Sequence, residues 1–288
     1  MKSGLGNRLA IILSDIKIQH TVFALPFAMM SAFLAAEGLP ATEKLLWIVV
    51  AMVSARSSAM AFNRIVDARF DGNNPRTQGR ALPSGKIGIP SYIIFLIISS
   101  AIFIGSAGML NQLALWLSPL ALAIVFFYSL TKRFTTLSHL FLGLALAVAP
   151  VGAWVAIREE ISLISLVMGA AVVFWLVGFD IIYSCMDVEA DKKSRLYSLP
   201  SRYGVARALQ MARLSHAVMV ILLLALLMTP LLGNLYLGGV ILVAGLLWYE
   251  HSIVSAKDLS KVNMAFFNVN GGISLLLMTL VMVDCVWV

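Results

Sequence analysis

The sequence predicts an all-α integral membrane protein, a bundle of nine transmembrane helices around a central cavity. Three observations predict it. Apolar residues make up 60% of the 288 residues and charged ones 12%, against about 45–50% and 25% in soluble domains, and the mean hydropathy is +0.93. The apolar runs are long enough to cross a ~30 Å hydrocarbon layer, which takes about 20 helical residues. Inside lipid only helices or closed barrels satisfy the backbone, and strand-like alternation is absent, so the spans are helices.

The first span covers 9–36 and ends in a loop that carries Lys44. The second, 42–70, runs into a basic loop at 71–87. The third and fourth, 88–109 and 112–130, lead to a basic turn at 131–136, and the fifth, 137–157, ends at Arg158. The sixth, 162–190, enters the basic loop 191–203. The seventh and eighth, 204–229 and 231–255, lead to 256–261, and the ninth is 262–286. Of the 21 Lys and Arg residues, only Lys44 and Arg158 lie in loops on one side. The other side is therefore cytoplasmic by the positive-inside rule, and the N-terminus lies on it. A multi-pass protein of the cell inner membrane is expected, with no removable signal peptide, because a short apolar core followed by a small-residue cleavage site is missing. No separate domain or linker is visible, so 1–288 reads as one domain. The net charge of +7 is explained by topology and anionic headgroups without a nucleic-acid partner. Cys185 and Cys285 sit in apolar helices and form neither a disulfide framework nor a metal motif. The sequence carries no trace of oligomeric state.

Function is concentrated in two acidic clusters. The first reads Asn63-Arg64-Ile65-Val66-Asp67-Ala68-Arg69-Phe70-Asp71, and the second Asp180-Ile181-Ile182-Tyr183-Ser184-Cys185-Met186-Asp187-Val188-Glu189-Ala190-Asp191. At roughly 100° per residue, Asn63, Asp67 and Asp71 fall within about 80° of one another, and Asp180, Asp187 and Asp191 within about 40°. Glu189 points the other way. Tyr183, Asp187 and Asp191 follow Asn63, Asp67 and Asp71 at a constant offset, and Leu82-Pro83-Ser84 recurs as Leu199-Pro200-Ser201. Four helices separate the copies, so a parallel duplication would turn the two acidic faces toward one cavity.

Acids in a membrane need compensation. Oxygen-only ligands suit a hard divalent ion, and Mg²⁺ takes one or two carboxylates while leaving positions for water and phosphate oxygens. Loop cations supply the matching donors: Arg76, Arg80 and Lys86 after the first cluster, and Lys192, Lys193, Arg195 and Arg202 after the second. Carboxylates beside a basic loop point to metal-bridged phosphate. Lys132, in the turn Tyr128 to Arg133, faces the same rim. Arg56, seven residues before Asn63 on the same face, and Lys17, with His20 one turn on, are further intramembrane candidates. His139 and Tyr183 are polar residues able to contact a substrate, whereas Trp154, Trp175 and the Phe side chains read as packing.

Asn63 to Gly85 resembles the first aspartate-rich motif and the following R-T-x-x-R-P-L-P-S-G loop of the UbiA superfamily of membrane prenyltransferases, and Asp180 to Gly204 resembles its second motif. The resemblance implies that an isoprenyl diphosphate is bound through Mg²⁺ and that the prenyl group moves to an aromatic acceptor, 4-hydroxybenzoate or a dihydroxynaphthoate, in quinone biosynthesis. It makes Asn63, Asp67, Asp71, Asp180, Asp187 and Asp191 the metal and diphosphate ligands, with Asp67, Asp71, Asp187 and Asp191 central to catalysis. Arg76, Arg80, Lys132 and Lys192 are then expected on the diphosphate, and Arg56, Arg64, Lys17, His139 and Tyr183 near the acceptor. Two positions depart from the family pattern: Arg64 stands where Asp is common, and Ala81 replaces the first Pro of the loop. The N-R-x-x-D form and the H-x-x-x-G stretch from His139 to Gly143 are more similar to the branch tied to futalosine-route menaquinone synthesis than to the ubiquinone branch. The competing reading is a transporter whose acids carry a cation or proton. It predicts acids deep in the helices rather than at a basic rim.

Overall fold

A computed structural model of the chain describes residues 5–17 and 24–287. Its elements are α1 (Leu5–Asp15), α2 (Leu25–Ala36), α3 (Thr42–Gly72), α4 (Ile89–Leu110), α5 (Gln112–Thr131), α6 (Ser138–Arg158), α7 (Leu163–Ser184), a 3₁₀ turn (Cys185–Asp187), α8 (Val188–Ser194), α9 (Leu199–Tyr203), α10 (Val205–Ala225), α11 (Asn234–Ile253), α12 (Val262–Met264), a π-helical turn (Ala265–Val269) and α13 (Asn270–Trp287). Among the described residues, eight helices are long and apolar enough to cross a membrane. The chain is a multi-pass membrane protein.

The expected continuous helix over 9–36 is corrected by the structure. α1 stops at Asp15, and Lys17 adopts a left-handed backbone at φ 49°, which a continuing right-handed helix excludes. α2 begins anew with Pro26 in its first turn, a position where the missing N–H costs nothing. With 12 residues, α2 is about 18 Å long and does not cross the hydrocarbon layer alone. The stop has a tertiary cause. The Asp15 carboxylate is gripped by Arg64, Tyr92 and the loop beyond α3.

From α3 the helices pack each on the next through α4, α5, α6, α7, α10, α11 and α13 to α2, which returns to α3 and closes a ring. α7 is the most deeply buried span, with Met168, Val172 and Trp175 fully enclosed. Its tight fit on α6 depends on Gly143, where an added methyl group would stand 2.9 Å from the Val173 carbonyl oxygen. Small residues allow this approach, which dispersion rewards in lipid where no hydrophobic force acts between helices. At the end away from the acids, α2 leans across to α6, and Ser31 Oγ donates to the Pro150 carbonyl at 2.6 Å.

The last helix opens with the π turn. A wider turn leaves a backbone carbonyl to be satisfied, and Asn270 Nδ2 donates to Ala265 O at 3.0 Å and to Glu250 Oε1 at 2.7 Å. Trp175 Nε1 donates to Asn270 Oδ1 at 2.7 Å. This buried network fixes the turn that carries Phe266 and Phe267.

Candidate active site

A cavity of about 390 Å³ lies at the end of the bundle where α3 and α7 finish. Asn63, Asp67 and Asp71 line one side, and Asp180, Asp187 and Asp191 the other. The loop after α3 reaches between them. Arg76 Nε donates to Asp187 Oδ1 at 2.9 Å and Nη2 to Oδ2 at 2.5 Å, although the two residues are 111 apart in sequence. Asn74 Nδ2 adds a third hydrogen bond to Oδ1 at 3.1 Å. The two clusters therefore share one space. Burial lowers the pKa of the Arg76 guanidinium, and its hydrogen bonds to Asp187 together with the charges of Asp187, Tyr183 and Asp71 outweigh this, so its net shift is upward.

Every carboxylate of the two clusters is matched to a basic group. Arg80 Nη1 donates to both Asp71 oxygens at 2.7 Å, and Arg133 lies 3.2 Å from Asp67. Asn63 Nδ2 also donates to Asp67, at 2.8 Å. Lys132 stands 3.6 Å from Asp191, and His139 Nδ1 2.6 Å from Asp180. Asp191 Oδ2 is buried with no hydrogen-bond partner. Among the described residues no three acidic, histidine or cysteine side chains are grouped as a ready metal shell. The donor set nonetheless fits Mg²⁺, which asks for one or two carboxylates and takes the rest of its octahedron from water and phosphate. Five carboxylates and seven Lys or Arg residues line the cavity, so it carries a surplus of positive charge for an anion.

The remaining expected residues divide. Lys17, Arg56, Arg64, Arg76, Arg80, Lys132 and Tyr183 line the cavity. Lys192, expected on the diphosphate, does not line the cavity. It sits on the outer face of α8, 3.6 Å from the exposed Glu189. Lys86, Lys193, Arg195 and Arg202 are likewise absent from the lining. His139, expected near the acceptor, is buried, with Nδ1 on Asp180 and Nε2 accepting from the Leu199 N–H at 3.4 Å. It holds the second loop rather than facing the cavity. Arg64 lines the wall, but its Nε and Nη2 are taken by the Asp15 carboxylate and carbonyl. Arg56 is different, because its buried Nε has no hydrogen-bond partner. His20 lies outside the described residues.

Sequence reasoning missed Arg133, whose only signal is its place beside Lys132, and the particular phenylalanines that join Tyr183 in an aromatic wall. Phe179, Tyr183, Phe266 and Phe267 all line the cavity. Tyr183 packs 4.2 Å from Phe266 between ring centroids, receives a 2.8 Å hydrogen bond from Arg76 Nη1, and lies under the Arg76 guanidinium. A second cavity of about 310 Å³, almost wholly apolar and lined from α3 to α6, adjoins the first and shares Arg56, Met60, Tyr128, Leu142 and Leu146 with it.

Comparison with known proteins matches the arrangement to a family. Residues 24–272 fit the UbiA prenyltransferase family. The 4-hydroxybenzoate octaprenyltransferase of Vibrio atlanticus is 28% identical over 240 residues, 83% of this chain and 84% of that protein. A UbiA homologue from Aeropyrum pernix K1, solved in its apo form, superposes with a TM-score of 0.84 at 34% identity, covering 93% of this chain and 98% of that one. A homologue from Archaeoglobus fulgidus, solved with DMAPP and Mg²⁺ bound, shares the fold at a TM-score of 0.76 and 20% identity, over 95% and 98% of the two chains. A family match over most of the chain, two aspartate-rich motifs and one cavity between them have a single reading: the chain belongs to the UbiA prenyltransferase family.

Proposed function

We propose that the protein transfers a polyprenyl group from a polyprenyl diphosphate to a ring carbon of an aromatic hydroxy acid, 4-hydroxybenzoate or a dihydroxynaphthoate, in quinone biosynthesis. The observation that carries this is the bidentate Arg76–Asp187 pair, which brings a phosphate-type cation of the first half onto a carboxylate of the second. The 4-hydroxybenzoate octaprenyltransferases among its relatives support the acceptor class. The reading includes one domain over 1–288 and nine spans. Both motifs and the N-terminus lie on the cytoplasmic side of the inner membrane, as the basic loops on that end support.

Asn63, Asp67, Asp71, Asp180, Asp187 and Asp191 would hold Mg²⁺, and the chemistry Mg²⁺ supplies when bound is neutralisation of charge on the diphosphate. The chain's own cations do related work. Arg76, Arg80 and Lys132 exchange their carboxylate partners for diphosphate oxygens, stabilising the leaving group as the allylic C–O bond breaks. The prenyl tail lies in the adjoining apolar cavity. The acceptor carboxylate goes to Arg56, at the junction of the two cavities with a donor to spare. The ring carbon beside the phenol oxygen attacks the allylic cation, and the unpartnered Oδ2 of Asp191 takes the ring proton.

The test is Mg²⁺-dependent pyrophosphate release by the protein in bilayers given a polyprenyl diphosphate, with and without each acceptor. The expected result is release coupled to a prenylated acid with one of the two. Mg²⁺-independent release, or none with either acid, would overturn the proposal.

A further inference from the structure

Asp15 of α1 lies outside the family-matched residues 24–272, yet its carboxylate accepts three hydrogen bonds, as many as that of Asp187 inside the cavity. Its Oδ1 accepts from the Ala81 backbone N–H at 2.9 Å. Its Oδ2 accepts from Arg64 Nε at 3.1 Å and from Tyr92 Oη at 2.5 Å. Arg64 Nη2 closes the ring on the Asp15 carbonyl at 3.0 Å, and Nη1 passes on to Asn63 Oδ1 at 3.2 Å. Beneath this cluster Ile12 of α1 and Ile16, just past its end, are buried against Ala61, Ala81, Ile87 and Tyr92. Apolar burial of this kind fixes where α1 sits, and the hydrogen bonds then fix what it holds.

Both departures from the family pattern end on this one side chain. Proline at 81 would have no N–H to give, and aspartate at 64 would set a like charge against Asp15. With Ala81 and Arg64 the carboxylate instead joins the loop to the helix that carries Asn63, Asp67 and Asp71. We propose that Asp15 is a positioning residue that clamps the 73–88 loop, so that Arg80, the neighbour of Ala81, and Arg76 stand ready for the diphosphate. Ordering a loop in advance removes that entropy cost from the binding step. The role in diphosphate binding rests on the reaction proposed above, whereas the clamp itself does not.

The experiment compares Asp15→Ala, Ala81→Pro and the double variant in bilayers by two readouts. Trypsin cleavage after Arg76 and Lys86 reports loop release and needs no activity. It is expected to quicken about fivefold or more in Ala81→Pro, to a similar extent in Asp15→Ala, and no further in the double variant, because both single changes break the same link. The KM for geranyl diphosphate is expected to rise by about the same factor while kcat stays within about twofold, a split that general misfolding does not give. Since Asp15→Ala also frees Arg64, Ala81→Pro is the cleaner variant, and it leaves that ion pair in place. Unchanged cleavage in Ala81→Pro, or effects of the two changes that multiply, overturns the clamp. Faster cleavage in a protein that turns over neither geranyl diphosphate nor a polyprenyl diphosphate with either acid upholds the clamp and sinks the reaction.

Discussion

The two ends of the bundle use the same charged residue types for opposite purposes. At the end away from the cavity, charge lands on backbone. Lys44 Nζ donates to the carbonyls of Ala156 and Ile157 at 3.0 and 3.2 Å, Arg158 caps the Ala35 carbonyl while pairing with Glu37, and Asp284 Oδ2 accepts from the N–H groups of Gly233 and Tyr236 at 3.0 and 3.1 Å. Cations meet helix C-termini and an anion meets a helix N-terminus, so each side chain satisfies groups that lipid leaves bare. At the cavity end, charge lands on charge: Arg80 on Asp71, Arg76 on Asp187, Arg133 on Asp67, Lys132 on Asp191. The lesson is one of replaceability. A capped helix end has no better partner to wait for, whereas a half-exposed guanidinium on a carboxylate gives up little when a diphosphate takes its place.

The largest effect expected from this contrast is on turnover. Asp67→Ala or Asp187→Ala should lower kcat by at least about 100-fold, as when several kcal/mol of charge stabilisation is lost. Thermal unfolding should scarcely move, because the Arg76 side chain is 36% exposed and water replaces its partner. Kinetics and melting on the same preparation check both halves of the statement, and a large loss of stability would mean that the site rim is built like the far one.

At the far rim the order reverses. Lys44→Met keeps the aliphatic stem but leaves two helix-end carbonyls without their cation, and stability should fall by about 1–2 kcal/mol. Unfolding in detergent measures this, with kcat expected to stay within about twofold. A drop in turnover larger than the drop in stability would break the division between the two ends.

Much of this was legible beforehand, and the misses have a common cause. Composition and run length located eight of the nine expected spans among the described residues, since lipid leaves the backbone few options. The i, i+4 spacing of Asn63, Asp67 and Asp71 put them on one face. The second cluster also converges, although the 3₁₀ turn at Cys185–Asp187 interrupts the helix assumed there. What local pattern did not carry was decided by tertiary contact. The end of α1 at Asp15 has no glycine or proline to announce it and follows from Arg64, Ala81 and Tyr92. His139 looked like a substrate contact because nothing local shows that both its nitrogens are engaged by Asp180 and Leu199. Phe266 and Phe267 carry no charge pattern, and they reach the cavity from a π turn held by Asn270 and Glu250.

Lys192 gives the smallest predicted effect and the sharpest check on reading proximity from sequence. It follows Asp191 directly, yet adjacent helical residues point about 100° apart. Asp191 is 5% exposed against Lys132, whereas Lys192 is 56% exposed beside Glu189. An exposed i, i+3 pair contributes a few tenths of a kcal/mol. Lys192→Ala should therefore leave kcat and the KM for the prenyl diphosphate within about twofold of the parent. Lys132→Ala, measured alongside it, should raise that KM by about tenfold. If Lys192→Ala matched that loss, the outer face of α8 would have to turn inward when substrate binds, and the cation set would no longer be the one lining the present cavity.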